Sequence, residues 1–370
     1  MKVLYIYFNA FSDIGGIQTF NRSFLKAADD LEYEKIFDFR TISLLDSKCD
    51  NKYIRKSLFK GFSGNRIQFS LRCIYEALSS DLVILGHINL SWVGYIIKKL
   101  LRKKVYIMAY GTDVWFRMSR LRESMLAEAD KILSISQYTK QRMVDSHNVN
   151  PENVQMFYCS LDPYFEIPES LEKPKDLMTK LGINSSNKVL LTVARLSSEE
   201  KYKGYDQVLR ALVSVIKEFP HTKYIIIGSG DEEEIQRIKR LIKELKLEDN
   251  VILTGFVSNE ELTAYYKLSD IFIMPSKGEG FGIVFLEALV FGKTIIVGNK
   301  DASKEVVLDG EIGLVIDPDN IEQISDSILD TIKGNIRNEL KDKEYLRSKA
   351  LQEFGFDKYK ERLKKYVLYN

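Results

Sequence analysis

The chain has 370 residues, of which 45% are hydrophobic and 29% charged, and its formal net charge is +2 at pH 7. Single hydrophobic cores usually stop growing below this length, so we expect two domains. No apolar run approaches the roughly 20 residues that cross a bilayer, and residues 1–9 lack the features of a signal peptide. Three widely spaced cysteines without metal-ligand spacing indicate reduced thiols. We therefore expect a cytoplasmic protein, soluble or peripheral on the inner face of the membrane.

The charge is unevenly distributed along the chain. Residues 1–164 hold 23 basic and 17 acidic residues, whereas residues 165–370 hold 31 and 35. Within the first part, residues 51–104 hold eleven basic and two acidic residues. Such a segment suits nucleic acid, an anionic membrane face or a phosphorylated acceptor, and it equally suits a solvated basic surface.

The first half alternates strand and helix patterns. An apolar strand at 1–8 is followed by a loop ending in Gly15 and Gly16 and by a helical pattern at 17–28. A double glycine here is typical of a tight turn near a phosphate, although the full dinucleotide fingerprint is missing. Further strands are predicted at 36–44, 81–86, 105–109, 131–136 and 154–158, with helices at 66–79, 91–101 and 137–146. In a doubly wound sheet ligands bind at the carboxyl ends of strands, where His87, Tyr110 and Asp113 fall.

The second half repeats the alternation after a break. Residues 162–188 contain three prolines and form the best linker candidate. Strands are then predicted at 188–193, 224–227, 251–253, 271–274, 294–297 and 314–316, and a basic amphipathic helix follows residue 354. The sequence therefore predicts an α/β protein of two similar doubly wound, Rossmann-like lobes. Their predicted bounds are 1–164 and 165–354, with a final helix at 355–370 that returns to the first lobe.

The stretch 275–289 combines a glycine loop with two carboxylates. Gly280 and Gly282 let the backbone approach a ligand, and the free N–H groups of the helix start favour an anion. Because a carboxylate cannot bind phosphate, Glu279 and Glu287 must serve another part of the ligand, such as sugar hydroxyls. The pattern indicates a sugar nucleotide.

The motif Pro-Ser-x-x-Glu-Gly-Phe-Gly-x-x-x-x-Glu-Ala at 275–288 resembles the donor-site signature of retaining GT-B glycosyltransferases of family four (glycosyl transferases group 1). Other landmarks of that family follow the same order along the chain, at 193–196, 203–204, 227–230, 254–257, 303–307 and 313–315. Gly15-Gly16 fits the family's amino-terminal glycine loop. The resemblance is close over the second half of the chain and loose over the first.

The resemblance implies roles for individual residues. Arg195 and Lys203 would neutralise the β-phosphate of the departing nucleotide, and Glu279 would hold the donor sugar and stabilise positive charge at its anomeric carbon. Glu287 would accept hydrogen bonds from the ribose. The remaining implied donor-binding residues are Gly280, Phe281, Gly282, Ile283, Phe256, Val257, Gly228, Gly15 and Gly16. The acceptor side would include His87, Tyr110 and Asp113.

The resemblance also implies the reaction. A nucleotide sugar linked to UDP, GDP or ADP would bind in the cleft between the lobes, the second lobe taking the donor and the first a glycan or lipid-linked acceptor. Transfer would retain the anomeric configuration without a metal or other cofactor, and no Asp-x-Asp metal motif is present. Polysaccharide or glycolipid synthesis in the cell envelope would be the setting. Residues 51–104 would then meet an anionic membrane surface, and no nucleic acid is expected.

Two departures from the family pattern stand out. Many members carry His-Gly where this chain has Tyr110-Gly111, and a phenol is a poor base near pH 7. His87, which ends a neighbouring predicted strand, could occupy the same cleft or could simply belong to the core. The interval from Arg195 to Lys203 is longer than the shortest family form, which leaves Lys201 as a rival for the phosphate role.

Three alternatives compete with a glycosyltransferase. A sugar-nucleotide epimerase shares the two-lobed architecture but needs catalytic acids placed differently. A phosphorylase usually needs a pyridoxal cofactor, for which no lysine context is evident. A non-catalytic sugar-nucleotide-binding protein would bind without turnover, and the intact set of Arg195, Lys203, Glu279 and Glu287 argues against it.

Overall fold

A computed structural model describes residues 1–368 and divides the chain into two compact units. The first unit contains Met1–Phe165 together with the carboxyl-terminal segment from Phe354, and the second contains Glu166–Glu353. Residues 157–174, which join them, contain neither helix nor strand. No helix within residues 1–368 has both the length and the apolar character needed to span a membrane.

The first unit contains a sheet of seven parallel strands. Their order across the sheet is β3-β2-β1-β4-β5-β6-β7. The strands are nearly continuous apolar runs, as expected for a parallel sheet covered by helices on both faces. The strands are β1 (Lys2–Tyr7), β2 (Asp38–Ser43), β3 (Phe59–Gly61), β4 (Leu82–Leu85), β5 (Lys104–Ala109), β6 (Lys131–Ser134) and β7 (Val154–Met156), and the helices between them are α1 (Gly16–Tyr33), α2 (Arg66–Leu78), α3 (Ser91–Lys99), α4 (Thr112–Trp115), α5 (Arg120–Glu128) and α6 (Gln137–His147).

The second unit contains six parallel strands in the order β10-β9-β8-β11-β12-β13. Its strands are β8 (Val189–Val193), β9 (Lys223–Ile227), β10 (Val251–Gly255), β11 (Ile271–Met274), β12 (Thr294–Gly298) and β13 (Leu314–Ile316). Its helices are α7 (Lys175–Lys180), α8 (Tyr205–Glu218), α9 (Glu232–Glu244), α10 (Asn259–Leu268), α11 (Ile283–Val290), α12 (Ser303–Val306), α13 (Ile321–Lys333) and α14 (Lys343–Phe354).

The last helix, α15 (Phe356–Leu368), belongs to the first unit. The ring of its fully buried Tyr359 lies 4.7 Å from that of Phe157 and 5.8 Å from that of Phe20 on α1. This aromatic cluster fixes the carboxyl terminus against the helix that follows the first strand.

The direction of chain progression reverses once in each sheet. In the first unit the reversal lies between β1 and β4, and in the second between β8 and β11. Loops on either side of such a switch point diverge, which leaves a crevice at the carboxyl ends of the two strands. Two loop pairs are therefore the positions at which this fold favours ligands: those after β1 and β4, and those after β8 and β11.

The predicted fold class is confirmed, since both sheets are parallel and doubly wound. The pattern gave no prediction of β3, α4 or α5 in the first unit, nor of α7, α12, α13 or α14 in the second. The first is an edge strand of three residues, too short to show a period, and α4 is a single turn after Gly111. The roles assigned to the two lobes, and a site in the cleft between them, stay predictions.

Candidate active site

The loop after β8 holds the backbone on either side of Arg195. The N–H groups of Ala194 and Leu196 donate to the carbonyls of Ile227 and Ser229, at 3.0 and 2.9 Å. A Cβ at Gly228, where φ is 153°, would lie 1.8 Å from the carbonyl oxygen of Ala194. Glycine is therefore required here by the approach of two backbone segments. The guanidinium that follows is 63% exposed and free to meet a ligand.

A second glycine brings Lys203 to the loop after β11. Gly204, with φ of 86°, ends the turn at Lys201–Lys203 and starts α8. A Cβ at this position would lie 2.3 Å from the carbonyl oxygen of Pro275. This close approach places the Lys203 ammonium against the Glu279 carboxylate, with which it forms an ion pair. Lys201 is exposed, so of the two rival lysines the structure brings Lys203 to Glu279.

The charges of this loop pair are balanced. Oε1 of Glu200 lies 3.4 Å from Nη1 of Arg195, and Oε2 lies 3.5 Å from Nζ of Lys203. Burial alone would lower the pKa of Lys203, but the neighbouring Glu279, Tyr202 and Glu200 together outweigh burial and hold that pKa above its usual value. Lys203 is therefore charged at neutral pH. The Tyr202 ring, 5.3 Å from Nζ, adds a cation–π contact.

Glu279 is held by a buried carboxylate that follows β12. Its backbone N–H donates to Oδ2 of Asp301 at 2.7 Å, and the N–H of Ser303 donates to Oδ1 at 2.8 Å. The N–H of Ala302 donates to the Glu279 carbonyl at 3.2 Å. Burial raises the pKa of Asp301 to about 6, while the N–H donors lower it. The Asp301 side chain thus fixes the backbone from which Glu279 projects.

Helix α11 begins next to this loop. Gly282 adopts φ of 96° immediately before it, a left-handed conformation that favours glycine. The preceding Gly280 and the first helical residue, Ile283, are half-buried, whereas Phe281 is buried in the core. Their arrangement leaves the helix N-terminus, with its favourable dipole, beside the Lys203–Glu279 pair.

Glu287 lies on α11 and is held by a tyrosine of α10. The hydroxyl of Tyr266 donates to Oε2 of Glu287 at 2.7 Å. Burial and the Glu287 charge raise the pKa of Tyr266 well above its ordinary value, so this hydroxyl stays a donor. The second carboxylate of the motif is therefore oriented before any ligand arrives.

Phe256 and Val257 follow β10, which lies two strands from β8 in the sheet. Adjacent strands are about 4.8 Å apart, so this loop lies roughly 10 Å along the carboxyl edge from β8. Phe256 is 61% exposed, and it is the only large apolar side chain of the second unit's described residues that is so exposed. An extended ligand at the switch point could reach it.

In the first unit, the loop after β1 is held by Asp46. This buried carboxylate accepts hydrogen bonds from the backbone N–H groups of three consecutive residues, Ala10, Phe11 and Ser12, at 2.8, 3.1 and 2.9 Å. The loop ends in Gly15 and Gly16. A Cβ at Gly16 would meet no described atom within 4 Å, and one at Gly15 would meet only the side chain of Gln18. The packing within the described chain does not require a glycine at 16.

His87 and Tyr110, at the ends of β4 and β5, are both neutral near pH 7. Nδ1 of His87 accepts a hydrogen bond from the N–H of Asn89 at 3.0 Å. Burial, with a smaller effect of Arg122, lowers the pKa of His87 to about 4, so the ring is neutral near pH 7 and carries its proton on Nε2. The Tyr110 ring lies 6.1 Å away. Burial raises the pKa of Tyr110 well above 10, which excludes it as a base.

The side chain of Asn21, on α1, bridges two phenols of this region by hydrogen bonds. Oδ1 of Asn21 accepts from the hydroxyls of Tyr5, at 2.6 Å, and Tyr110, at 3.3 Å, while its Nδ2 donates to the Asn9 carbonyl at 2.8 Å. Asp113 accepts from the N–H of Tyr110 at 3.0 Å, and burial raises the pKa of Asp113 to about 7. His87, Tyr110 and Asp113 thus lie at the ends of two neighbouring strands.

Sequence reasoning missed several residues that position the predicted ones. They are Asp46, Tyr266 and Asp301, which hold the β1 loop, Glu287 and Glu279, together with Glu200 between the two cations. A local signal existed for Asp301 alone, because an Asp two residues before a Ser in a loop is typical of a turn in which the carboxylate accepts a backbone N–H.

The second unit matches a known family. Residues 174–350 match the family model of glycosyl transferases group 1. An uncharacterized glycosyltransferase from Methanocaldococcus jannaschii is 27% identical over 54% of this chain, which spans 50% of that relative's length. A GDP-mannose-dependent phosphatidylinositol monomannoside mannosyltransferase from Mycolicibacterium smegmatis is 24% identical over 66% of this chain and 64% of its own length.

The fold of the whole chain also has solved counterparts. The crystal structure of Anabaena HepE with UDP and glucose has a TM-score of 0.78, with 18% identity over 99% of both chains. At that identity the likeness concerns the fold: the two-sheet architecture of a GT-B glycosyltransferase. Arg195, Lys203, Glu279 and Glu287 all lie within residues 174–350, the part of the chain that is similar to glycosyl transferases group 1.

Proposed function

We propose that the chain is a retaining, metal-independent glycosyltransferase that moves a sugar from a nucleoside diphosphate sugar to an acceptor hydroxyl. The observation that carries this proposal is the meeting of Lys203 with Glu279, from loops after the neighbouring strands β8 and β11, beside the exposed Arg195. A sugar nucleotide needs cations for its diphosphate and a carboxylate for its sugar hydroxyls. Both are present at one switch point.

Each group has a part of the donor to bind. Arg195 and Lys203 take the diphosphate, together with the N–H groups at the start of α11. When the donor phosphate replaces the Glu279 carboxylate at Lys203, that carboxylate is released to bind the sugar hydroxyls. Glu287, oriented by Tyr266, accepts from the ribose. The exposed Phe256 ring lies along the base.

The transfer step needs no protein base. The bond between the anomeric carbon and the β-phosphate oxygen breaks, and the acceptor oxygen forms its bond on the same face. The hydroxyl proton passes to the departing phosphate oxygen. Arg195 and Lys203 neutralise the leaving group, and Glu279 stabilises the positive charge at the anomeric carbon. The low pKa of His87 makes its ring a weak proton acceptor, and the high pKa of Tyr110 keeps its hydroxyl protonated; both support a reaction in which neither removes this proton.

The acceptor belongs to glycolipid or polysaccharide synthesis in this proposal, and the first unit binds it near His87, Tyr110 and Asp113. Support comes from the relatives, since the Mycolicibacterium enzyme is named for a phosphatidylinositol monomannoside acceptor. Donors linked to UDP and to GDP both occur among the similar proteins, so the base is left to experiment.

Thermal unfolding in the presence of UDP, GDP, ADP and their common sugars tests donor binding. We expect one base to raise the melting temperature of the full chain. Proton NMR of the product formed with that donor and a glycolipid or glycan acceptor then tests retention. An epimerised nucleotide sugar formed without acceptor would contradict transfer, and binding without any turnover would indicate a non-catalytic protein.

A further inference from the structure

Helix α2 presents an apolar stripe to solvent. Spacings of four, four and three residues place its members on one face of the helix. The opposite face packs into the core through the buried Phe69, Cys73 and Ala77. The stripe consists of Ile67, Leu71, Tyr75 and Leu78, which are 75, 65, 65 and 57% exposed.

The two units differ in how much apolar surface they expose. Within residues 1–368, fifteen large apolar side chains are exposed, of which fourteen belong to the first unit and four to α2 alone. Single exposed apolar residues are normal, but a contiguous row on one helix face marks an interaction surface. We therefore expect the stripe to bind a partner.

Cations surround the stripe. Arg66 and Arg72 lie on α2 itself, and Lys60 lies on β3 just before it. At the other end Nζ of Lys103 donates to the carbonyl of Leu78 at 2.8 Å. Lys103 also lines a cavity of about 290 Å³, whose charged lining residues are Arg102, Lys103, Lys104 and one acid, Asp81. We call the apolar stripe and these cations the α2 surface.

Several of these cations have no acidic partner. Arg72 pairs with Glu76 on the same helix. Lys60, Arg66 and Arg102, by contrast, form no ion pair with any acid in the described part of the chain. The charges of Lys60, Arg66 and Arg102 are therefore left for an external anion.

We propose that the α2 surface docks onto an anionic phospholipid bilayer, with the apolar stripe in the interfacial region and the cations at the headgroups. A helix that combines an apolar face with flanking cations binds at such an interface, and each nearby cation strengthens binding to anionic lipid. This docking is independent of the donor site, and it would bring the chain to a lipid-linked acceptor.

Other occupants fit the α2 surface less well. A second copy of the chain, bound face to face, would place the unpaired cations of both copies against each other. Nucleic acid phosphates would satisfy the cations but would leave Ile67, Leu71 and Leu78 in water. A bilayer accommodates both parts of the surface.

Co-sedimentation with vesicles tests the proposal. We expect the full chain to pellet with phosphatidylcholine vesicles that contain phosphatidylglycerol and to stay in solution with phosphatidylcholine alone. The double variant Ile67→Ser/Leu71→Ser should weaken binding by roughly tenfold or more, because two apolar side chains no longer leave water. Tyr33→Ser, at a 77% exposed residue outside the stripe, is the matched control and should bind like the wild type.

Two charge-reversal variants test the electrostatic contribution to vesicle binding. Arg66→Glu/Arg102→Glu should abolish the preference for anionic vesicles, whereas Lys239→Glu/Arg240→Glu, with the same charge change on exposed residues of α9, should keep most of it. Equal binding to neutral vesicles, or unchanged binding of both double variants of the α2 surface, would overturn the proposal. So would a dimer that Ile67→Ser/Leu71→Ser dissociates, or binding to duplex DNA without binding to vesicles. Since no turnover is measured, these outcomes leave the proposed reaction untouched.

Discussion

The two switch points share a topology and differ in chemistry. At β8 and β11 the loops carry charged side chains, with Lys203 and Glu279 paired and Glu200 between the cations. At β1 and β4 the loops carry an amide that joins two phenols, a histidine whose pKa is about 4, and the Asp46 carboxylate, which accepts hydrogen bonds from backbone N–H groups of the β1 loop. The sheet provides the same crevice twice, and the loop residues decide what each crevice binds.

The charged switch point suits a ligand that carries its own charge. In the absence of that ligand, Lys203 and Glu279 are both mostly buried, and each compensates the other. A diphosphate can replace the carboxylate at Lys203 without leaving a buried charge unpaired. In the proposed function, the switch point at β1 and β4 takes the uncharged hydroxyls of the acceptor.

Glu279→Gln should have the largest effect on the charged side. Removing the carboxylate leaves the developing positive charge at the sugar without its stabilising group, so transfer should fall about 10²–10³-fold. Transfer is measured by release of the nucleoside diphosphate in the presence of acceptor. Glu233→Gln, an exposed acid on α9, serves as control. Wild-type turnover in Glu279→Gln would remove this residue from the catalytic set.

Asn21→Leu tests the switch point at β1 and β4. The substitution removes the Asn21 hydrogen bonds of two buried phenols and one buried carbonyl, so the free energy of unfolding should fall by about 3 kcal/mol. Denaturant titration measures it, with Asn51→Leu at an exposed position as control. Affinity for the nucleotide should be unchanged. A loss of nucleotide affinity as large as the loss of stability would show that the two switch points are not chemically separate.

Asp113→Asn should change how stability depends on pH. The folded-state pKa of about 7 exceeds the unfolded value near 3.8, so the folded chain holds a proton over that interval. The wild-type free energy of unfolding should therefore fall as pH rises toward 7, on the order of 2 kcal/mol through this group. Asparagine does not titrate. The free energy of unfolding of the wild type minus that of Asp113→Asn, measured from pH 5 to 8, should fall as pH rises. Parallel plots of the two free energies against pH would contradict the raised pKa.

Glu200→Gln should give the smallest effect and the opposite sign. Its carboxylate lies 3.4 Å from the Arg195 guanidinium and 3.5 Å from the Lys203 ammonium. It therefore neutralises part of the positive charge that would attract a diphosphate. Removing this partly exposed charge should tighten nucleoside diphosphate binding by roughly threefold. Glu199→Gln, at the exposed neighbouring residue, should leave the affinity unchanged. Weaker binding in Glu200→Gln would mean that this carboxylate positions the cations instead of competing for them.

Local sequence patterns predicted the groups that carry charge but not the groups that hold them. Glu279 and Glu287 follow a strand and a glycine loop, a pattern contained in one short stretch. Asp301 lies 22 positions beyond Glu279, and it reaches the Glu279 N–H only because β11 and β12 are neighbours in the sheet. Tyr266 reaches Glu287 from the preceding helix. Strand order is not visible in a linear pattern, so such partners require the structure.

Gly228 shows the opposite difficulty. The family resemblance implied contact of this glycine with the donor, and a Cβ at Gly228 would lie 1.8 Å from the Ala194 carbonyl oxygen. Packing alone explains glycine at that position, whereas no such contact accounts for Gly16 within the described chain. Sequence alone cannot distinguish a glycine that admits a ligand from one that admits a neighbouring backbone.

Calorimetric titration of Lys203→Gln with the nucleoside diphosphate and monophosphate of the preferred base tests the central claim most directly. If Lys203 binds the diphosphate, its substitution should weaken diphosphate binding by about 10–100-fold, the range of a charge-assisted contact, and should change monophosphate binding much less. Lys201→Gln, at the exposed lysine two residues earlier, should behave like the wild type. Full diphosphate affinity in Lys203→Gln, or its loss in Lys201→Gln alone, would contradict the site described for the second unit.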